Sequence, residues 1–184
     1  IRDSADLAGL RAAGCQALFS AGYYYRIPVD PALPGVNVHP ALLPQGRGAW
    51  PLPVQILHGD TRGGVTLHKL APAWDAGDIL LQQDFAIGPR EDLETVTARA
   101  CAVAAALCRR MVADFAALWD RAVPQGPGSY WPCPQKPDYT ITPATTPAQT
   151  DRILRAFYGF DCYLQTADAE YPLVGGRFVP QLHG

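Results

Sequence analysis

Asn37 and His39 stand one residue apart, directly ahead of Pro40. In an extended strand alternate side chains face the same way, so these two project together while Val38 turns to the opposite layer. Pro40 reinforces that geometry, because it biases the residue before it toward extended backbone angles. An Asn carboxamide can donate to a developing oxyanion without titrating, and a His can donate when protonated or accept when neutral. What the pair lacks is a carboxylate to set the charge on the imidazole. Asp75 and Asp78, in the loop Trp74-Asp75-Ala76-Gly77-Asp78, both qualify, since a nearby anion favours the imidazolium. Residue chemistry leaves that choice open, and an Asn-x-His pair alone is more often a satisfied polar pair at a strand terminus than a site.

The other candidates carry less. His68 falls inside a strand pattern and reads as packed or capping, His58 ends a helix before Gly59 where the dipole favours it, and His183 lies in the tail. A metal held by His39, His68 and an Asp lacks compact ligand spacing, so no metal is expected. Gly46-Arg47-Gly48 is too short for a phosphate-cradling loop and reads as backbone shape. Tyr23-Tyr24-Tyr25 offers an aromatic wall for a flat ligand, or equally a core or subunit contact.

The elements that position these residues follow an α/β grammar. Asp3 or Ser4 caps a helix over residues 5–13 that Gly14 stops. Cys15 to Ser20 and Gly35 to His39 read as strands, the second closed by Pro40. A helix within Trp50 to His58 is confined by Pro51 and Pro53 to begin near or after Pro53, and Gly59 ends it. Two β-rich runs, Val65 to Leu70 and Ile79 to Phe85, bracket the aspartate loop. Leu93, Val96, Ala100, Val103, Leu107, Met111, Phe115 and Leu118 recur at steps of three and four, predicting one long helix from Asp92 to about Ala122. Cys101 and Cys108 share a face of it, consistent with packing. In open α/β sheets ligands bind beyond the carboxyl ends of the strands, which is where Asn37 and His39 fall.

After residue 123 the composition changes. Seven prolines between Pro124 and Pro147 mark 124–149 as a linker or extended strap, followed over 150–184 by a capped helix from Thr150 and a small hairpin through Tyr163-Leu164 and Tyr171 to Val174. The expected division is therefore 1–123, 124–149 and 150–184.

Bulk composition narrows the function class. Fifteen basic residues against 17 acidic ones give a net charge of −2 with no basic run, which disfavours nucleic acid and membrane surfaces as partners. The five cysteines are odd in number and scattered, so they read as reduced, mostly buried thiols. No apolar stretch approaches the roughly 20 residues of a membrane span, and cytoplasm is the default compartment. The chain opens on Ile1 with an immediate helix signal, so a preceding segment is expected.

Five blocks then acquire a joint meaning: Asn37 to Pro44, Arg47 to Pro51, Ile56 to Asp60, Gly64 to His68 and Trp74 to Gln82. In this order and spacing they resemble the folate-dependent formyltransferases, a family that includes methionyl-tRNA, glycinamide ribonucleotide and amino-sugar N-formyltransferases. Weaker similarity runs from Ile1 to about Ala122. The resemblance implies a Rossmann-like core with an open, mostly parallel sheet, its N-terminal part missing here, plus a small C-terminal α+β extension. It implies a catalytic trio of Asn37, His39 and Asp75, selecting Asp75 over Asp78. It also implies folate contacts from Tyr25, Arg26 and Ile27 and from His68, Ala71, Trp74 and Asp78. Ala41 departs from the family, which usually has Ser there.

The implied activity is transfer of a formyl group from N10-formyltetrahydrofolate, without a metal, to a primary amine. A nucleotide-linked amino sugar is the first acceptor, and methionyl-tRNA or a peptide or amino-acid amine the alternative. A small-molecule amine rather than nucleic acid is the expected partner, and a homodimer is compatible. Formyltetrahydrofolate hydrolysis keeps the same trio, and a catalytically silent binding module is the reading from another class.

Overall fold

The computed structural model describes residues 1, 3–173 and 176. Asp3 starts the chain's first element by accepting the backbone N–H groups of Ala5 and Asp6, which caps α1 (Ser4–Ala12). Two strands follow, β1 (Leu18–Ala21) and β2 (Gly35–His39), paired in parallel. α2 (Pro51–His58) begins at Pro51 rather than near Pro53. Both prolines sit in the first turn, where a missing N–H removes no intrahelical bond. Gly59 closes α2 in the left-handed region, at φ 76°.

β3 (Arg62–Lys69) and β4 (Ile79–Ala86) complete a sheet of order β1-β2-β3-β4. The α/β class stands, but β2·β3 and β3·β4 are antiparallel, so among the described strands the sheet is mixed rather than mostly parallel. A short loop joins β3 to β4 with no crossover helix, and a parallel pairing would need one. Leu67 pairs with Leu81 and His68 with Ile79, which leaves Leu80 as an extra residue and kinks the edge beside the aspartate loop.

α3 (Leu93–Ala113) is opened by a capping box in which Asp92 and Thr95 each bond the other's backbone N–H. Its apolar stripe buries Val96, Leu107 and Met111 with Val36, Val65 and Leu67 of the sheet. Each such side chain contributes about 1.5–3 kcal/mol of burial. The expected helix to Ala122 is interrupted at Asp114, φ −131°, and resumes as α4 (Phe115–Asp120). Asp is a poor interior residue, and the break lets Phe115 meet Phe19 and stack on Trp119, whose ring lies under Lys69. The Cys101 and Cys108 face is one position off the buried stripe, so Cys101 is exposed. Cys15 and Cys133 are exposed too, and Cys162 alone of the five thiols is buried, contrary to the expectation of mostly buried cysteines.

The proline-rich stretch is more than a strap. It contributes a short 3-10 turn and β5 (Thr140–Ile141), and α5 (Pro147–Ala156) starts three residues before Thr150 because Thr146 caps it and Pro147 takes the first helical position. β6 (Cys162–Gln165) and β7 (Glu170–Leu173) form the expected hairpin, with Val174 and His183 outside the described residues. Ile141, Ile153, Phe157 and Cys162 join the same buried cluster as Val36 and Leu67, with Trp50 set edge-on to Phe157 and Phe160. No described helix is long and apolar enough to cross a membrane.

One polar staple fixes the loop leaving β2. Thr66 is fully buried, donates through Oγ1 to Ala41 O at 2.6 Å, and accepts from Leu43 N at 3.2 Å and Gln82 Nε2 at 2.8 Å. Thr66→Val keeps the shape but strands the Leu43 N–H and the Ala41 carbonyl. Removing one partner of buried groups costs about 1–3 kcal/mol, which urea unfolding of the variant is expected to show as a lower midpoint at unchanged slope.

Candidate active site

The face shared by Asn37 and His39 is built by strand register. Asn37 pairs with His68 and His39 with Thr66 across β2·β3, so all four side chains lie on one side of the sheet. The loop between β3 and β4 then drops Asp75 onto that face. Gly77 makes this approach practicable: a Cβ there would lie 1.9 Å from Lys69 O. Asp75 itself is held at φ 51°, in the left-handed region that Asp tolerates better than most residues.

Asp75 is the meeting point. Its Oδ1 lies 3.3 Å from Asn37 Nδ2 and 3.5 Å from both His39 Nδ1 and His68 Nε2, while its Oδ2 accepts the Gly48 N–H at 2.9 Å. A carboxylate only accepts, so Asn37 presents its NH₂ rather than its carbonyl. The same NH₂ lies 3.1 Å from His68 Nε2. His68 donates from Nδ1 to Lys69 O at 2.8 Å, which leaves Nε2 as an acceptor in the neutral ring. His39 donates from Nε2 to Gly46 O at 2.8 Å, so Nδ1 is the nitrogen turned toward Asp75.

Burial is the largest influence on His39 and lowers its pKa, with His68 adding to that; Asp75 and the Gly46 carbonyl pull the other way and do not overcome it. Burial would raise Asp75, but the contact with His68, the charge of His39 and the Gly48 N–H together carry it below the ordinary carboxylate value. The resting site therefore holds an ionised carboxylate beside a neutral imidazole.

The site opens into a cleft of about 540 Å³. Tyr25, Arg26, Ile27, His68, Ala71 and Trp74 line it together with Asn37, His39 and Asp75. Arg26 lies over the Trp74 ring at 5.3 Å. Asp78 does not join them: it turns to Lys69, 3.5 Å away, on the other side of the loop. Among the described residues no group of three or more His, Cys, Asp or Glu side chains could hold a metal ion.

A family model described as formyl transferase matches residues 14–112. The chain belongs to the formyl transferase family. It is 32% identical over 161 residues to the methionyl-tRNA formyltransferase of Acidiphilium cryptum, covering 85% of this chain and 52% of that protein. Against the curated relatives it matches, the chain spans between 20% and 52% of their length. The fold is that of a 4-N formyltransferase from Francisella tularensis, with a TM-score of 0.80 at 20% identity over 98% of this chain and 78% of the other. It is also that of HypX from Aquifex aeolicus, solved with tetrahydrofolic acid, with a TM-score of 0.69 at 17% identity over 89% and 30%.

Two contributors to this candidate site escaped sequence reasoning. Gln125 donates from Nε2 to Asp75 O at 2.8 Å and Gly77 O at 2.6 Å, and Tyr130 lines the cleft. Both come from the proline-rich stretch, where no motif flags them. Gly46 and Gly48 act through backbone groups, and the Gly-Arg-Gly turn was legible only as shape.

The two shifts have the same sign for stability, since at both groups the unfolded chain binds more protons than the folded one. The His39 penalty begins as pH falls below about 6.5 and is complete below its folded pKa; the Asp75 contribution, full above about pH 3.9, is lost as pH falls through its own folded pKa. Calorimetric Tm measured from pH 7 downward is expected to fall in two stages, and His39→Asn to lose the upper one. An equal upper-stage fall in that variant would remove His39 as its source.

Proposed function

We propose that this chain transfers a formyl group from N10-formyltetrahydrofolate to the primary amine of a small acceptor, a nucleotide-linked amino sugar first. The observation that carries the reading is the convergence of Asn37, His39 and Asp75 at the wall of an aromatic cleft. Membership of the formyl transferase family supports it.

The cleft suits the donor. Trp74 and Tyr25 offer flat faces to a pterin ring, Arg26 a cation beside them, and Ile27, Ala71 and His68 the remaining contacts. When bound, the donor supplies an activated formyl carbon and, at N10, a leaving nitrogen that takes up the proton the amine gives away. Asn37 is the oxyanion donor, exchanging one N–H from His68 or Asp75 for the formyl oxygen as charge builds there. His39, neutral at rest, receives the amine's proton, and the imidazolium it becomes is stabilised by Asp75. The same imidazolium then returns the proton toward the departing nitrogen.

A small acceptor is favoured by the charge of the cleft, where Arg26 is the one Lys or Arg among the described lining residues. Polyanion binding relies on many such contacts. The competing acceptor, methionyl-tRNA, is favoured by the names of the sequence relatives.

Incubating the protein with N10-formyltetrahydrofolate and a panel of nucleotide-linked amino sugars, methionyl-tRNA, free amino acids and no amine tests the reading by mass. A formyl gain on an amino sugar is expected; gain on methionyl-tRNA alone replaces the acceptor, and formate release without any acceptor replaces transfer by hydrolysis. Asn37→Ala, His39→Ala and Asp75→Ala are each expected to lower turnover by about a hundredfold or more, and near-normal turnover in His39→Ala would overturn the proton role.

A further inference from the structure

The segment after α4 reaches back into the site. Its backbone is zipped to the Gly-Arg-Gly turn: Arg47 N–H donates to Ser129 O at 3.0 Å, Trp131 N–H to Arg47 O at 2.7 Å and Ser129 N–H to Pro44 O at 3.2 Å. A Cβ at Gly128 would lie 2.0 Å from Pro44 O, so the two strands of chain approach as closely as glycine permits.

At the head of this zipper lies Gln125. Arg47 donates to its Oε1 from Nε at 3.1 Å and from Nη2 at 2.8 Å. A guanidinium has no acceptor, so it fixes which end of the amide it meets, and Nε2 is thereby aimed at the carbonyls of Asp75 and Gly77. Those two carbonyls follow directly on the bend at which Asp75 takes φ 51°. The residues beside Arg47 touch the same site from the other side, since Gly46 O receives His39 and Gly48 N–H holds the Asp75 carboxylate.

We infer that Arg47 and Gln125 form a positioning clasp that holds the left-handed Asp75 backbone and so keeps its carboxylate against Asn37 and His39. Neither residue touches the reacting atoms; both act through Asp75. The inference rests on the proposed role of Asp75, and it states which part of the chain beyond α4 the chemistry requires.

The decisive variant is Gln125→Leu, which removes both donors to the loop while Arg47 stays. The first readout is independent of any activity: the titration of the His39 imidazole followed by NMR on the full chain. His39 is faced by Asp75 from the β3–β4 loop, His68 from β3 and the Gly46 carbonyl from the turn. Of these only Asp75 is released by the variant, and Asp75 raises the His39 pKa, so the midpoint is expected to move down. An unchanged midpoint in the folded variant overturns the clasp.

The second readout is formyl transfer. A carboxylate displaced by an ångström is expected to lower kcat by about tenfold or more, while KM for the amine changes by less than about twofold. A rise in KM at constant kcat overturns the positioning role. Arg47→Lys keeps the charge and loses the two-pronged grip, and it serves if Gln125→Leu does not fold. Combining the two substitutions is expected to cost no more than the worse one alone, because they break one chain of contacts, and additive losses overturn that coupling. If the wild-type protein transfers no formyl group, the function reading fails while the His39 titration still decides the clasp.

Discussion

A half-buried carboxylate is the constraint around which this molecule is arranged. Taking an anion out of water costs several kcal/mol unless hydrogen bonds and opposite charge replace its hydration. Asp75 accepts from an amide of β2 and a backbone N–H of the Gly-Arg-Gly turn, and two imidazoles from adjacent strands stand beside it, all within 3.5 Å. No two of these groups are neighbours along the chain except the Asn37 and His39 pair. The pairing of β2 with β3, the bulge at Leu80 and the course of the chain after Pro40 are each needed to bring them to one oxygen pair. A slip of one residue in β2 would turn Asn37 and His39 to the opposite layer and leave Asp75 without two of its partners.

The resting site is self-satisfied, and that has chemical consequences. Both protons of the Asn37 amide are engaged, one toward His68 and one toward Asp75, and the Nε2 proton of His39 is held by Gly46. What remains unspent is the Nδ1 lone pair of a neutral ring that faces an anion. That arrangement is strained toward protonation: the lone pair and the carboxylate repel at rest, and a proton arriving between them turns repulsion into attraction. Burial supplies the counterweight that keeps the ring neutral until then. On the proposed reading the site stores its preference for a proton acceptor in geometry rather than in a charge carried beforehand.

How much of this was legible in the sequence differs by element. Gly35 to His39 appears as a strand with the predicted bounds because Gly and Pro punctuate it at both ends and its side-chain alternation is plain. The partnership with Asp75 needed the resemblance, since composition offers Asp78 equally and only the fold shows Asp78 turning to Lys69. Helix boundaries failed at Pro51 and Pro147, where a proline in the first turn costs no intrahelical bond, and at Asp114, where the break lets Phe115 pack on Phe19 and Trp119. The contribution of Gln125 was invisible because it depends on a polar side chain meeting main-chain carbonyls far away in sequence, an interaction with no periodicity and no composition to announce it.

The cleft divides into an inner part ruled by charge and an outer part ruled by shape. Near Asp75 both carboxylate oxygens, the Asn37 amide protons and the His39 Nε2 proton are engaged, so the inner wall is expected to tolerate few substitutions. Farther out, Tyr24 and Tyr25 are 87% and 72% exposed and Tyr130 60%, with the Tyr25 ring edge-on to Tyr23. Exposed aromatic faces bind planar or ring-shaped partners with little regard for their hydrogen-bonding pattern. On the proposed function, selection among amines comes from where these rings stand relative to Asn37 and His39. Tyr130 enters that arrangement through the same zipper that carries Gln125 to Asp75. A single backbone pairing, Arg47 with the Ser129 to Trp131 segment, thus links the Asp75 carboxylate to the Tyr130 ring in the cleft wall, which on the proposed function ties the reacting centre to the acceptor's path.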